Sequence, residues 1–366
     1  MTGYVCPTCR ARHAVTLERF RCDCGAPLDL DFESTPLDRE ALCRRPLSIW
    51  RYREALPAAD ELSPVTLGAG VSPVVDDVVG STPVHLALEY VSPTGSYKDR
   101  GASLLVSFAA ALGATLLVDD TSGNAGIALA AHAARAGLRA RVLVPDDASP
   151  VKPRIAAELG AEVIRVAGGR AGAAAAALEE AASGAFYASH AWSPLFLHGA
   201  KTLAYSLSEA LRWTAPGAVV VPAGNGGLVL GLDAGFRELR RHGLIKRRPA
   251  IVAVQAAACA PLARAFAAGA LLPAPVTEGP TSADGVRVGA APRGAEVLRA
   301  VRQSGGSIEE VGEDEIERTR RGLWHKGYAV ESTGAVAAAC LDRLGDDLRR
   351  RHGDLAVVLS CSGLKL

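Results

Sequence analysis

Lysine is scarce in this chain: six residues, Lys98, Lys152, Lys201, Lys246, Lys326 and Lys365, among 40 lysines and arginines. Arginine can do most structural work asked of a cation, so the places where lysine is kept draw attention. An amine, unlike a guanidinium, can lose its proton when desolvated and attack a carbonyl. Aromatic residues are only 5%, which leaves the core to alanine, glycine and valine and suits close packing of helices on sheets. No basic stripe stands out and the formal net charge is +1, which argues against a nucleic-acid partner. No apolar run approaches the roughly 20 residues of a membrane span, since His132 and Arg135 interrupt the stretch 126–137. The N-terminus has no basic-then-apolar leader pattern, and no internal repeat is present. These absences lead to the expectation of a soluble, cytoplasmic protein. At 366 residues with 49% hydrophobic content, the chain can bury a sizeable core in two or three domains.

Three stretches stand out. Ser92-Pro93-Thr94-Gly95-Ser96-Tyr97-Lys98-Asp99-Arg100-Gly101 places a lysine after a turn and before an apolar helical run. Thr121-Ser122-Gly123-Asn124-Ala125-Gly126 follows the strand-like run 115–118 and precedes an alanine-rich helix, 127–136. Val219-Val220-Val221-Pro222 leads into Ala223-Gly224-Asn225-Gly226-Gly227 and the helical run 228–240. The last two are strand, loop and helix units, which aim backbone N–H groups and a positive helix end at an anion. Taken singly, each has a plainer reading, the lysine as a solvated helix start and the glycines as a tight turn.

Taken in order, these motifs resemble the threonine synthase family of pyridoxal-phosphate enzymes, within the tryptophan-synthase β-like group. Trp50 to Pro57, Val65 to Val74, Val330 to Thr333 and Ser360 to Lys365 extend the resemblance over nearly the whole chain. It implies an α/β fold, the two-domain type II fold of pyridoxal-phosphate enzymes. Its parallel-rich sheets would be flanked by helices, with a small zinc-ribbon-like segment at the N-terminus. The alternation of strand-like and helical runs after Lys98 independently calls for parallel sheets with helical crossovers. The expected division is 1–33 for the ribbon, 34–97 with 200–366 for the large domain, and 98–199 for the small one. The long stretch 271–292, with four prolines, is expected as a surface loop near the site.

The resemblance also implies roles. Lys98 would attach the cofactor aldehyde and then move substrate protons. Asn124 would hydrogen-bond the ring oxygen, and Gly224, Asn225, Gly226 and Gly227 would hold the phosphate. Ser360 would face the pyridine nitrogen with a hydroxyl, which favours elimination and replacement over transamination; a serine in a strand-end turn is the other reading. Ser122 and Gly123, with Ser96, would take the substrate carboxylate. Glu331 is either a site-lining or a structural acid.

Cys6-Pro7-Thr8-Cys9 and Cys22-Asp23-Cys24 are separated by twelve residues, with Gly25 after the last cysteine. Two such knuckles suit a structural zinc held by Cys6, Cys9, Cys22 and Cys24. A disulfide pair or a metal-free relic ribbon are the alternatives.

The expected reaction is conversion of O-phospho-L-homoserine to L-threonine and phosphate by a lyase of amino-acid biosynthesis. The partners are a small amino-acid substrate and, by analogy with the family, a second copy in a homodimer. One departure bears on the substrate. Family members often carry an arginine that helps hold the substrate phosphate where this chain has Leu195 and Phe196. Lys201, His198, Lys152 and Arg154 are the candidate replacements. A sister enzyme doing β-elimination or β-replacement on another activated amino acid, cysteate synthase-like or of secondary metabolism, is the second reading. A non-catalytic relative that binds cofactor or amino acid is the third.

Overall fold

A computed structural model describes residues 3–365. Among the described residues thirteen strands form three sheets. The first three strands are β1 (Tyr4–Val5), β2 (Arg12–His13) and β3 (Asp29–Leu30). They are followed by β4 (Val74–Val79), β5 (Thr82–Ala87), β6 (Leu116–Asp119), β7 (Arg139–Pro145), β8 (Glu162–Val166) and β9 (Phe186–Tyr187). The last four are β10 (Ala218–Pro222), β11 (Ala250–Ala256), β12 (Ser307–Val311) and β13 (Leu355–Val358).

The first compact unit runs up to Val71 and adds Ser92–Thr94 and Lys98–Ala200. It contains the antiparallel ribbon, in the order β2-β1-β3, and a parallel sheet in the order β8-β7-β6-β9. Its strands alternate with the helices Lys98–Ala111, Asn124–Ala136, Val151–Glu158 and Gly169–Ala182. The segment 34–71, expected with the large domain, packs in this unit instead. Trp50 Nε1 donates to Ser103 Oγ at 3.0 Å, the Val65 N–H to Ser107 Oγ at 2.8 Å, and Arg100 Nη1 to the Gly70 carbonyl at 2.9 Å. These three bonds decide where the segment lies. The ribbon belongs to the same unit. Phe20 packs edge-on against Tyr187 and Trp192, with centroids 5.1 and 5.9 Å apart.

The second unit holds Ser72–Val91 and Gly95–Tyr97, and continues from Lys201. Its sheet has the order β12-β11-β10-β13-β5-β4, parallel except for the β4–β5 hairpin. Strands β10, β11 and β13 are buried along their whole length, which is why they read as continuous runs of valine and alanine rather than alternating ones. The unit also holds the helices Thr202–Ala210, Gly227–Arg241, Pro261–Ala267, Gly294–Ser304, Glu313–His325, Ser332–Ala339 and Leu341–His352. Two differences from the sequence reading are local. The strand-like run 328–330, one of the apolar runs of the alternation after Lys98, makes only an isolated bridge from Val330 to Ser362. Ser307–Val311, not expected, forms edge strand β12; its two glutamates hide the alternation, because an edge strand tolerates charge. The stretch 271–292 carries one helical turn, Asp284–Val286, and no strand.

Candidate functional site

In the first unit, Lys98 and Asn124 each open a helix. Asp99, fully buried, accepts from the Thr94 N–H and from Thr94 Oγ1, both at 2.8 Å, and so pins the turn that delivers the lysine. Gly101 and Gly199 let the helix Lys98–Ala111 approach Pro194–Ala200. A Cβ on Gly199 would lie 2.3 Å from the Arg100 carbonyl, and one on Gly101 would lie 2.5 Å from the Phe196 ring. That approach brings the Phe196 ring to 5.5 Å from Lys98 Nζ, a cation–π distance. Asn124 is nearly buried, and the helix it begins has Gly123 at its cap with no side-chain bond. The amides of Ser122 and Gly123 therefore lie at a helix start, where anions are favoured. Gly123 donates to Thr121 Oγ1 at 3.2 Å.

Two acids at the end of β6 were not foreseen. Asp119, 1% exposed, has Oδ2 at 3.3 Å from His190 Nδ1. Its Oδ1 is buried and has no hydrogen-bond partner among the described residues. Burial pushes this carboxyl up to about 7, against the pull of the Lys98 charge. Asp120 accepts from the Tyr187 hydroxyl at 2.5 Å; burial and then the Asp119 charge raise it too. His190 is held well below its ordinary value by burial and then by Lys98, so it is neutral near pH 7. The ring of Phe196 lies 5.9 Å from that of His190, which closes a cluster from Lys98 through Phe196 and His190 to Asp119. The only sequence signal for it was a pair of acids at the end of an apolar strand.

In the second unit, strand β10 ends at the loop 223–226 and the helix Gly227–Arg241 begins there. Gly226 has φ +82° and caps that helix without a side-chain bond, so its amides are presented to whatever lies above. A Cβ at Gly224 would sit 2.8 Å from the Gly285 carbonyl, and one at Gly226 would sit 2.2 Å from Val297 Cγ2. The loop is braced by Gln255, fully buried, which donates to the Ala223 carbonyl at 3.1 Å and accepts from the Leu262 and Ala263 N–H groups at 2.8 and 3.1 Å. Gln255 was also missed, since a lone glutamine inside an apolar strand gives no motif. Ser360, 1% exposed, follows β13 with its Oγ 3.3 Å from Cys361 Sγ. Its carbonyl accepts from the Tyr97 N–H at 3.1 Å, and the Ser362 N–H donates to the Gly95 carbonyl at 2.9 Å. Ser96, also 1% exposed, bridges Cys361, and its Oγ has no partner among the described residues. Glu331 is buried at the start of the helix Ser332–Ala339.

The replacement cations divide. Lys201, fully buried, is paired with Glu238 at 2.8 Å. His198 lies 3.7 Å from Asp29 and edge-on to Phe32. Lys152 is buried within its helix, and Arg154 is exposed.

Over residues 65–362 the chain matches the family described as pyridoxal-phosphate dependent enzyme. The threonine synthase of Methanocaldococcus jannaschii is 31% identical over 372 residues, which cover 98% of this chain and 92% of that protein. The chain belongs to the threonine synthase family of pyridoxal-phosphate dependent enzymes. The threonine synthase of Mycobacterium leprae is 32% identical over 323 residues, 86% of this chain and 87% of that one. Among solved structures, a threonine deaminase from T.th. aligns with TM-score 0.67 and 28% identity, over 80% of this chain and 92% of that one. A maize serine racemase, with TM-score 0.71 and 21% identity over 87% and 94%, shares the fold. The chain is thus a type II pyridoxal-phosphate enzyme and a lyase.

The residues present fit the family's cofactor. The loop 223–226 ends strand β10 at a helix start with no side-chain cap bond, where main-chain N–H groups suit a phosphate. Ser96 Oγ and Asp119 Oδ1 are buried polar atoms whose partner is not protein among the described residues, and such atoms call for one. The four thiols also fit a metal. Their Sγ atoms all lie within 4.8 Å of one another, with Cys6–Cys24 at 3.6 Å and Cys9–Cys22 at 3.5 Å. Tetrahedral Zn–S bonds of about 2.3 Å give sulfur–sulfur edges of about 3.8 Å. His13 Nε2 lies 3.3 Å from Cys22 Sγ, where an N–H can donate to the sulfur. Among the described residues no helix is long and apolar enough to cross a membrane.

Proposed function

We propose that the chain carries out the threonine synthase reaction, taking O-phospho-L-homoserine to L-threonine and phosphate. The observation that supports it most is likeness to threonine synthases over nearly the full length of the chain, together with a lysine delivered by a pinned turn. Lys98 binds the cofactor and then carries protons to and from the substrate carbons. Gly224, Asn225, Gly226 and Gly227 receive the phosphate through main-chain N–H groups at a helix start. Asn124 orients the ring, and Ser360 offers the ring nitrogen a hydroxyl. Ser122 and Gly123, with Ser96, take the substrate carboxylate. The cofactor supplies an electron sink for negative charge developing beside the amino-acid nitrogen; with a hydroxyl at the ring nitrogen that sink is modest, which favours loss and addition of groups at the β or γ carbon. Cys6, Cys9, Cys22 and Cys24 hold a zinc ion that fixes the ribbon and takes no part in chemistry, since all four ligands are protein thiolates.

A second reading keeps the chemistry and changes the leaving group. It is favoured by Lys201 being paired with Glu238, by His198 facing Asp29, and by the carboxylate of Asp119 within electrostatic reach of Lys98. Under it, the substrate is an activated amino acid without phosphate. Assay of purified enzyme with phospho-homoserine decides between them. Phosphate released in step with threonine supports the first reading; faster turnover of an O-acyl or other unphosphorylated amino acid excludes it.

A further inference from the structure

We propose that the cavity between the β4–β5 hairpin and the helix Glu313–His325 is a second, non-catalytic site, which binds a free α-amino acid with an aliphatic side chain. The cavity lies wholly within the second unit. None of its lining residues is assigned to the cofactor or the substrate, so the inference does not depend on which amino acid the enzyme turns over.

Size and lining come first. The cavity holds about 200 Å³. An apolar cavity of about 150 Å³ takes up a benzene, so this one has room for a side chain the size of leucine. Val79 and Leu323, both buried, form its apolar floor, and Val78 at the rim is 40% exposed. On the helix side the wall is kept clear by Gly322, where a Cβ would meet nothing within 4 Å. Glycine weakens a helix interior, and no neighbour requires one at this position.

Three charged side chains line the cavity, and they differ. Lys326 is already engaged, since Nζ donates to Asp77 Oδ1 at 3.0 Å and to the Val78 carbonyl. Asp342 Oδ1 is held against the hairpin turn, where a Cβ on Gly80 would lie 2.5 Å from it. Asp342 Oδ2 lies 3.7 Å from Arg318 Nε, too far for a hydrogen bond. The Arg318 guanidinium makes no hydrogen bond to any described residue. One cation and one anion therefore stand side by side above an apolar floor. An exposed pair at this spacing is worth little by itself, so parting it around a ligand costs little. An α-amino acid carries a carboxylate and an ammonium on one carbon, with its side chain beyond them. The carboxylate fits the two-nitrogen edge of Arg318, the ammonium fits Asp342, and the side chain fits Val79 and Leu323. A simple anion meets Asp342 and a simple amine meets Arg318, so the pair selects a zwitterion.

The same helix carries Trp324, whose Nε1 donates to the Val330 carbonyl at 2.7 Å, and a Cβ on Gly363 would lie 2.6 Å from its ring. The site thus stands on a helix tied to the segment that follows Ser360.

The test is calorimetric titration of L-leucine into holoenzyme whose cofactor has been fixed to the protein by borohydride, so that the reacting centre cannot take up a free amino acid covalently. Expected is one saturable site per chain with a dissociation constant of about 1 mM or tighter. Two probes each keep one charge: 4-methylpentanoate lacks the ammonium and 3-methylbutylamine lacks the carboxylate. Both should bind at least roughly tenfold more weakly than leucine. Gly322→Leu should abolish leucine binding by filling the cavity, and it favours the helix, so its folding is not at risk. Arg318→Gln, at an exposed position, should weaken binding roughly tenfold or more. Absence of saturable binding in the wild type overturns the proposal. Leucine binding that survives unchanged in Gly322→Leu overturns it too, because the amino acid then sits elsewhere. Equal binding of leucine and the two single-charge probes also overturns it.

Discussion

Replacing Gly226 by alanine probes the phosphate loop through two separable costs. At φ +82° an alanine sits in the left-handed region, which costs about 1–2 kcal/mol. Its Cβ would also lie 2.2 Å from Val297 Cγ2, far inside the roughly 3.5–4 Å of a carbon contact. Val297 is fully buried, so it has little room to yield, and overpacking of this kind costs about 1–3 kcal/mol. Together Gly226→Ala should destabilise the second unit by about 2–5 kcal/mol. Because relief requires the loop to move, cofactor affinity should fall tenfold or more. Thermal melting at fixed excess cofactor and spectral titration of the bound cofactor read the two effects. Val297→Ala alone loses two methyl groups, about 1.6 kcal/mol of burial. Added to Gly226→Ala it should remove the overlap, a favourable coupling of about 1–3 kcal/mol, while leaving the backbone cost. A Gly226→Ala protein that melts and binds cofactor like the wild type refutes the reasoning. A double variant with strictly additive losses refutes the steric half alone.

The purified protein should be yellow, with borohydride fixing the chromophore to Lys98. Lys98→Ala should still bind cofactor non-covalently but show no turnover, because the proton carrier is gone; measurable turnover counts against the assignment. Elemental analysis under reducing conditions should give one zinc per chain. Its removal should loosen the ribbon, read as faster hydrogen exchange in residues 3–30, without abolishing cofactor binding. Asp119 gives a stability signature as well. Its folded value near 7 lies above the ordinary carboxylate value of 3.8, so between these the native state binds more protons than the unfolded chain. Stability contributed by this group is therefore lost as pH rises from about 4 to about 7. Asp119→Asn should remove that slope and melt higher than the wild type at pH 8, by melting curves across pH; a slope unchanged in the variant refutes the account.

The lysine turn, the asparagine loop and the glycine loop were legible because each is a local unit whose residues serve one backbone geometry. Gly224 and Gly226 are glycines for reasons visible in the fold, a carbonyl and a valine where a Cβ would go. The Asp119–His190 pair was not legible. The two residues lie 71 positions apart, and only the pairing of β6 with β9 brings their neighbourhoods together. Gln255 was hidden for a related reason, because its partners are backbone groups that no side-chain pattern records. The place of 34–71 was equally out of reach, resting on single bonds to Ser103 and Ser107. Strand β12 was missed because its glutamates break the apolar run that marked its inner neighbours.

The strand order of the second sheet also sets a timetable for synthesis. Strand β13, made long after the hairpin it joins, lies between β10 and β5. Its neighbour β5 ends at Ala87, and β13 begins only at Leu355. At roughly 5–20 residues per second on the ribosome, the β4–β5 hairpin waits on the order of tens of seconds for the partner that joins it to the rest of its sheet. During that interval β5, and β10 once it is made, each present an unpaired edge, the kind of surface that recruits chaperones or stray strands. A nascent chain that stops short of Val358 cannot close the sheet, and it also lacks Ser360. Truncated products of this gene are thus left open and unfinished together, marked for removal by the same missing strand.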